Sequence, residues 1–178
     1  MRLSVLVAQL VSLILVVQCD PDAPTPDDTF PTDVVALACV LVNIPSPSGH
    51  EQAAFAYARA WLVAHNFTVV EQPVQPLSPS LAPRSNLLAH VPGAAPATLT
   101  VVLSTHLDTV PGTVAARGRA EDGEEDRLYG RGSVDAKGQA AAMLVALSRL
   151  RDGAVGLLLV CGEETDHAGM RAAHALRW

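Results

Sequence analysis

The sequence has 178 residues, 49% of them hydrophobic, and a formal net charge of −6. That is enough apolar material for one packed domain, and it excludes a disordered acidic tail. With no Lys/Arg cluster and only two Trp, two Tyr and three Phe, the chain offers neither a phosphate-binding footprint nor a base-stacking platform, so nucleic acid is not an expected partner.

In chain order, Leu3 to Cys19 carries no charge, follows a single Arg2 and ends at an acidic run beginning with Asp20. This reads as a secretory signal peptide over residues 1–19. Ser4, Gln9 and Ser12 interrupt it, and it is too short for a stable anchor across a hydrocarbon core of roughly 30 Å. The expected destination is extracellular, or a vacuolar lumen reached by the same route. Residues 20–32 mix Asp20, Asp22, Asp27 and Asp28 with Pro21, Pro24, Pro26 and Pro31, a composition that resists packing and suits an exposed linker.

The folded part is expected over 33–178. Asp33 to Val42 has helical character and is stopped by Pro45 and Pro47. Ser48-Gly49-His50-Glu51 has the spacing of a capping box, opening a second helix over Ala53 to His65. The sequon Asn66-Phe67-Thr68 falls at the helix-to-strand turn, where Asn66 could display a glycan in a secretory pathway. Phe67 to Val70, Asn86 to Val91, Thr98 to Ser104 and Gly156 to Cys161 read as strands. The last two are almost continuously apolar, as strands covered on both faces would be. Asp135 to Arg151 reads as an Ala/Leu/Met helix, Glu121 to Arg127 as a solvated loop and Asp166 to Leu176 as a last helix. Cys19, Cys39 and Cys161 make no disulfide framework, and the latter two read as small core residues. Strand, helix and strand in that order predict an α/β layered domain.

In such sheets ligands bind beyond the carboxyl ends of the strands. Ser104-Thr105-His106-Leu107-Asp108-Thr109 follows one apolar strand, Gly162-Glu163-Glu164-Thr165 follows the other, and Gly130-Arg131-Gly132-Ser133-Val134-Asp135 opens the intervening helix. Imidazole nitrogen and carboxylate oxygen suit divalent cations, and two cations can share a bridging carboxylate. On this logic His106 is a terminal ligand, Asp135 the bridge and Glu164 a ligand to the other ion. Asp108 reaches the second imidazole nitrogen and fixes its tautomer. On an extended segment Glu163 points away from Glu164, which leaves it free as a general base.

Taken singly, each cluster has an ordinary reading: a hydrogen-bonded structural histidine, a helix-starting glycine turn, a solvated acidic pair. Their coincidence at one sheet edge favours a metal site. Gly130-Arg131-Gly132 begins like a dinucleotide fingerprint, but Asp135 stands where the third glycine belongs and would repel a pyrophosphate. No Gly-x-Ser-x-Gly elbow is present. His50, His65, His90, His167 and His174 have no partner at ligand spacing and read as structural or surface residues.

These motifs resemble the co-catalytic zinc exopeptidases and deacylases, which include acetylornithine deacetylase, succinyl-diaminopimelate desuccinylase, aminoacylase and glutamate carboxypeptidases. The resemblance rests on Ser-Thr-His-Leu-Asp-Thr-Val-Pro at 104–111, Tyr-Gly-Arg-Gly-Ser-Val-Asp-Ala-Lys-Gly at 129–138 and Gly-Glu-Glu-Thr at 162–165, and runs from about Asp33 onward. With its signal and sequon the chain looks most like the secreted probable carboxypeptidases of fungi. The resemblance implies a layered α/β/α catalytic domain and two divalent ions, zinc first, with cobalt or manganese also suited to mixed ligands. It implies a peptide or N-acyl amino acid substrate, cleaved at a C-terminal peptide bond or an N-acyl amide. Its residue roles agree with those above: His106, Asp135 and Glu164 on the metals, Asp108 orienting and Glu163 as base.

The family also has a further carboxylate ligand, an inserted domain used for dimerisation and a late histidine ligand. After Asp166 this chain has no Asp or Glu, and neither His167 nor His174 is taken as a substitute. It is therefore expected to be the N-terminal part of such an enzyme or an inactive remnant of one, with a homodimer expected only for the full-length protein.

Overall fold

Asp33 begins the first helix as a side-chain cap: its carboxylate accepts from the amides of Val35 and Ala36, both at 3.0 Å, so two otherwise orphaned donors are satisfied. In the computed structural model, residues 30–119 and 127–175 are described. The proposed signal, most of the linker, nearly all of the acidic loop and the end of the last helix lie outside them.

Helix α1 spans Val34–Asn43 and α2 Gln52–Ala64. The expected capping box does not form: Glu51 occupies the cap position with no side-chain cap bond, and the Ser48 side chain is used elsewhere. Strand β1, Thr68–Val74, extends beyond the expected boundary and includes Pro73. It is an edge strand, where a missing N–H is tolerated. Strand β2 is Arg84–His90 and β3 is Val101–His106. Arg117–Arg119 (β4) and Arg127–Tyr129 (β5) form a small antiparallel hairpin, so Arg127, expected in a loop, lies in a strand. Helix α3, Lys137–Leu150, then β6, Val155–Val160, and α4, Ala168–Ala175, complete the order.

The main sheet runs β1-β2-β6-β3. β1 with β2 and β2 with β6 are antiparallel, and β3 lies parallel to β6. β6 is buried along almost its whole length, as its composition predicts. β3 departs from expectation: it is the other edge strand, and Val101 is 48% exposed. Alternate residues of β6 feed two cores, giving the layered α/β/α arrangement. Leu157 and Leu159 join Leu37, Leu41, Phe55, Trp61 and Leu144 on the side of α1, α2 and α3, while Leu158 and Val160 pack with Leu88, Leu99 and Ala173 of α4. Cys161 is a buried free thiol as expected, whereas Cys39, expected to be a small core residue outside any disulfide, is half-buried and disulfide-bonded. No helix among the described residues is long and apolar enough to cross a membrane.

Candidate metal centre

Parallel pairing sets the site. His106 ends β3 opposite Val160, the end of β6, so the chain segments just beyond, with Asp108 in one and Glu163 and Glu164 in the other, leave the sheet side by side. Asp108 then joins them. Its fully buried carboxylate accepts the Glu163 amide at 3.0 Å, the Glu164 amide at 3.1 Å and the Ser48 hydroxyl at 2.7 Å. Burial opposes its ionisation, but the hydrogen bonds from His106, Ser48 and the two amides outweigh burial and hold the carboxyl below the ordinary aspartate range.

His106 is 7% exposed. Its Nδ1 faces the Asp108 main-chain oxygen at 3.0 Å and the Asp108 carboxylate at 3.4 Å, which leaves Nε2 aimed outward. Nε2 meets Asp135 Oδ1 at 2.8 Å and lies 3.7 Å from Glu163 Oε2. Burial disfavours the imidazolium, yet the surrounding carboxylates of Asp108, Asp135 and Glu163 push its pKa up to about 9. Nε2 thus faces carboxylate oxygens, surroundings that suit a cation.

Asp135 stands in the turn that precedes α3, and its side chain is 70% exposed. One ligand atom each from His106, Asp135 and Glu164 lies within 4.8 Å of the others, a mixed nitrogen and oxygen set that fits a divalent ion. Glu164 has its carboxyl raised above the ordinary range, by burial first and then by the charge of Asp135. The Glu-Glu pair is not extended, because residues 163–166 form a turn. The expected opposition of the two side chains is therefore replaced by a turn that brings Glu164 into the ligand cluster and Glu163 beside His106.

All five residues singled out in the sequence converge at this edge. Asn66 is exposed in the turn between α2 and β1. His65 stacks on Trp61, His90 is buried against its neighbouring carbonyl, and His167 is exposed, none of them in the cluster. Three supporting side chains were not anticipated. Ser48 carries a helix-cap signature but serves Asp108. Lys137, 1% exposed, donates to the Ile44 carbonyl at 2.5 Å, and burial lowers its pKa to about 8. Arg84, a charged residue at the start of a strand, is buried behind the Glu-Glu turn.

Residues 102–177 match the model of peptidase family M20/M25/M40, a segment that holds every residue of the cluster. This part of the chain is similar to that family. A probable carboxypeptidase of Emericella nidulans is 39% identical over 137 residues, covering 74% of this chain and 31% of its own length. One of Aspergillus terreus is 42% identical over 138 residues, with the same coverage. The chain thus spans about a third of the length of these relatives. The fold is shared with a Staphylococcus aureus tripeptidase, TM-score 0.61 at 20% identity, covering 81% of this chain and 40% of that one. Human carnosine dipeptidase 1 gives a TM-score of 0.60 at 23% identity, with 79% and 34% covered.

Proposed function

We propose that this chain supplies the front half of a two-metal exopeptidase or deacylase site, in a protein that hydrolyses a C-terminal peptide bond or the amide of an N-acyl amino acid. The observation that carries this reading is the convergence of His106, Asp135 and Glu164 within 4.8 Å, beside a second carboxylate, Glu163. The names of the fungal relatives favour a carboxypeptidase.

His106 would be a terminal ligand of one ion, Asp135 the bridge and Glu164 a ligand of the other, with zinc the first candidate for such donors. Divalent ions, when bound, supply the Lewis acidity that polarises the scissile carbonyl and brings the pKa of a water toward neutrality. Asp108 holds the His106 ring so that Nε2 presents its lone pair to the cluster. Glu163 takes the proton of the attacking water and returns it to the leaving amine. Export, with removal of residues 1–19 and a glycan on Asn66, belongs to the same proposal, as does dimerisation through the rest of the full-length protein.

The test is Glu163→Gln in the full-length protein. Loss of the base should lower kcat by about 10²- to 10⁴-fold while calorimetry still records two zinc ions per chain. Unchanged hydrolysis would remove Glu163 from its role, and failure of the wild-type protein to take up zinc would remove the metal centre.

A further inference from the structure

The turn that presents Glu163 and Glu164 is held from beneath by β2. Arg84 is 4% exposed and Asn86 is 0% exposed; two residues apart on one strand, they share a face of the sheet. The Arg84 guanidinium donates through Nη2 to Asp166 Oδ2 at 2.5 Å and through Nε to the Gln75 carbonyl at 2.7 Å. Its Nη1 lies 3.7 Å from Glu51 Oε1, the carboxylate that the absent capping box leaves free. Asn86 grips the flanks of the same turn. Its Oδ1 accepts the Cys161 amide at 3.1 Å and its Nδ2 donates to the Gly169 carbonyl at 2.7 Å.

The fit is close. Gly162 has φ +68°, and a Cβ there would collide with Arg84 Nη1 and stand 2.6 Å from Asp166 Oδ1. The guanidinium therefore packs directly under the first residue of the turn. A buried guanidinium between two carboxylates is poor value as stability alone, since apolar replacements of such groups are often neutral. What this one fixes is the position of Asp166, which closes the turn that sends the Glu163 and Glu164 amides to Asp108.

We propose that Arg84 is a positioning residue for Glu163 and Glu164, acting through Asp166 to hold the turn 162–166 in its ligand-presenting conformation. The inference deepens the metal-centre reading, and for the metal it rests on that reading. It is tested in the full chain with Arg84→Met, Asp166→Ala and the double variant. In metal-free protein, amide hydrogen exchange at Glu163 and Glu164 should accelerate by about tenfold or more in each single variant, as expected for a lost charge-assisted hydrogen bond. Exchange at Leu157 to Leu159 should stay as in wild type, which a merely structural defect would not allow. The double variant should go no further than the stronger single one, and Arg84→Lys should recover part of the protection. Zinc affinity should fall by a similar factor.

Should Arg84→Met fail to fold, Asp166→Ala decides, because the Asp166 side chain is 27% exposed and tolerates truncation. Unchanged exchange at Glu163 and Glu164 in Asp166→Ala, or equal acceleration throughout β6, would overturn the proposal. Zinc uptake lacking in the wild type, with the exchange effect intact, would remove the metal reading and still support the hold of Arg84 on the turn.

Discussion

Cys161 directly follows β6 and is 1% exposed, with Sγ 3.6 Å from Asn86 Oδ1. Burial pushes its thiol pKa up to about 12 from 9.0; Arg84 opposes the shift, and the charges of Glu51 and Asp108 add to it. The folded chain thus keeps a proton that the unfolded chain releases near pH 9. A raised folded pKa means a contribution fully present below pH 9 and lost as pH climbs toward 12. Each pH unit in that window costs about 1.4 kcal/mol. In urea denaturation at pH 8 and pH 10.5, the stability of wild type should therefore fall toward that of Cys161→Ala, which lacks the ionisation. A constant gap between the two proteins would show that the thiol is not held neutral. The five candidate residues could be singled out because metal chemistry restricts ligand types and their motifs either follow an apolar strand directly or, for Asp135, open the intervening helix. Ser48 was not. A serine three residues before a glutamate carries the same signature whether it caps a helix or serves a distant carboxylate, and only the folded chain brings Asp108 within 2.7 Å.

At the scale of elements, the segment after α1 shows why stop signals understate what a loop does. Pro45 and Pro47 end the helix as expected, but the same residues run beside the strand exit that carries Asp108. Ser48 donates its amide to the Thr109 carbonyl at 3.1 Å, and Thr109 returns one to Ser46 at 2.9 Å. The Ser46 hydroxyl, 1% exposed, donates to the Leu107 carbonyl at 2.6 Å. Ser46→Ala leaves that buried acceptor without its partner and should destabilise the fold by about 1–3 kcal/mol. The cost should appear as a lower urea midpoint at unchanged slope. A wild-type midpoint would mean that the main-chain bonds alone fasten the loop. Helices and strands were legible from composition to within a few residues at their ends. The hairpin β4–β5 was not, because its arms are short and polar and flank an acidic run, so they lack the apolar alternation by which strands are recognised.

For the whole molecule, the layered class followed from the order of elements, but the strand order did not, because pairing β2 with β6 joins segments separated by more than sixty residues and no local pattern encodes it. That pairing is what places Arg84 and Asn86 under the Glu-Glu turn. The pairing of β3 with β6 gathers acids from three segments, Asp108, Asp135, Glu163 and Glu164, at one edge of a chain already at −6. Such an edge repels itself: the Glu164 carboxyl is raised by burial first and then by the charge of Asp135. A cation that binds only the folded arrangement should relieve this repulsion and so stabilise the whole domain. At free zinc of 100 times its dissociation constant the gain is about 2.7 kcal/mol, which for a domain of this size should raise Tm by about 5–10 °C. Chelation with EDTA should reverse the shift, and His106→Ala or Glu164→Gln should reduce it in proportion to their loss of zinc affinity. Magnesium, which prefers oxygen ligands and retains its water, should do less at equal concentration. A Tm that zinc does not move, in a chain that calorimetry shows to be folded, would mean that this acidic edge is not a cation site and that its charges are balanced in some other way.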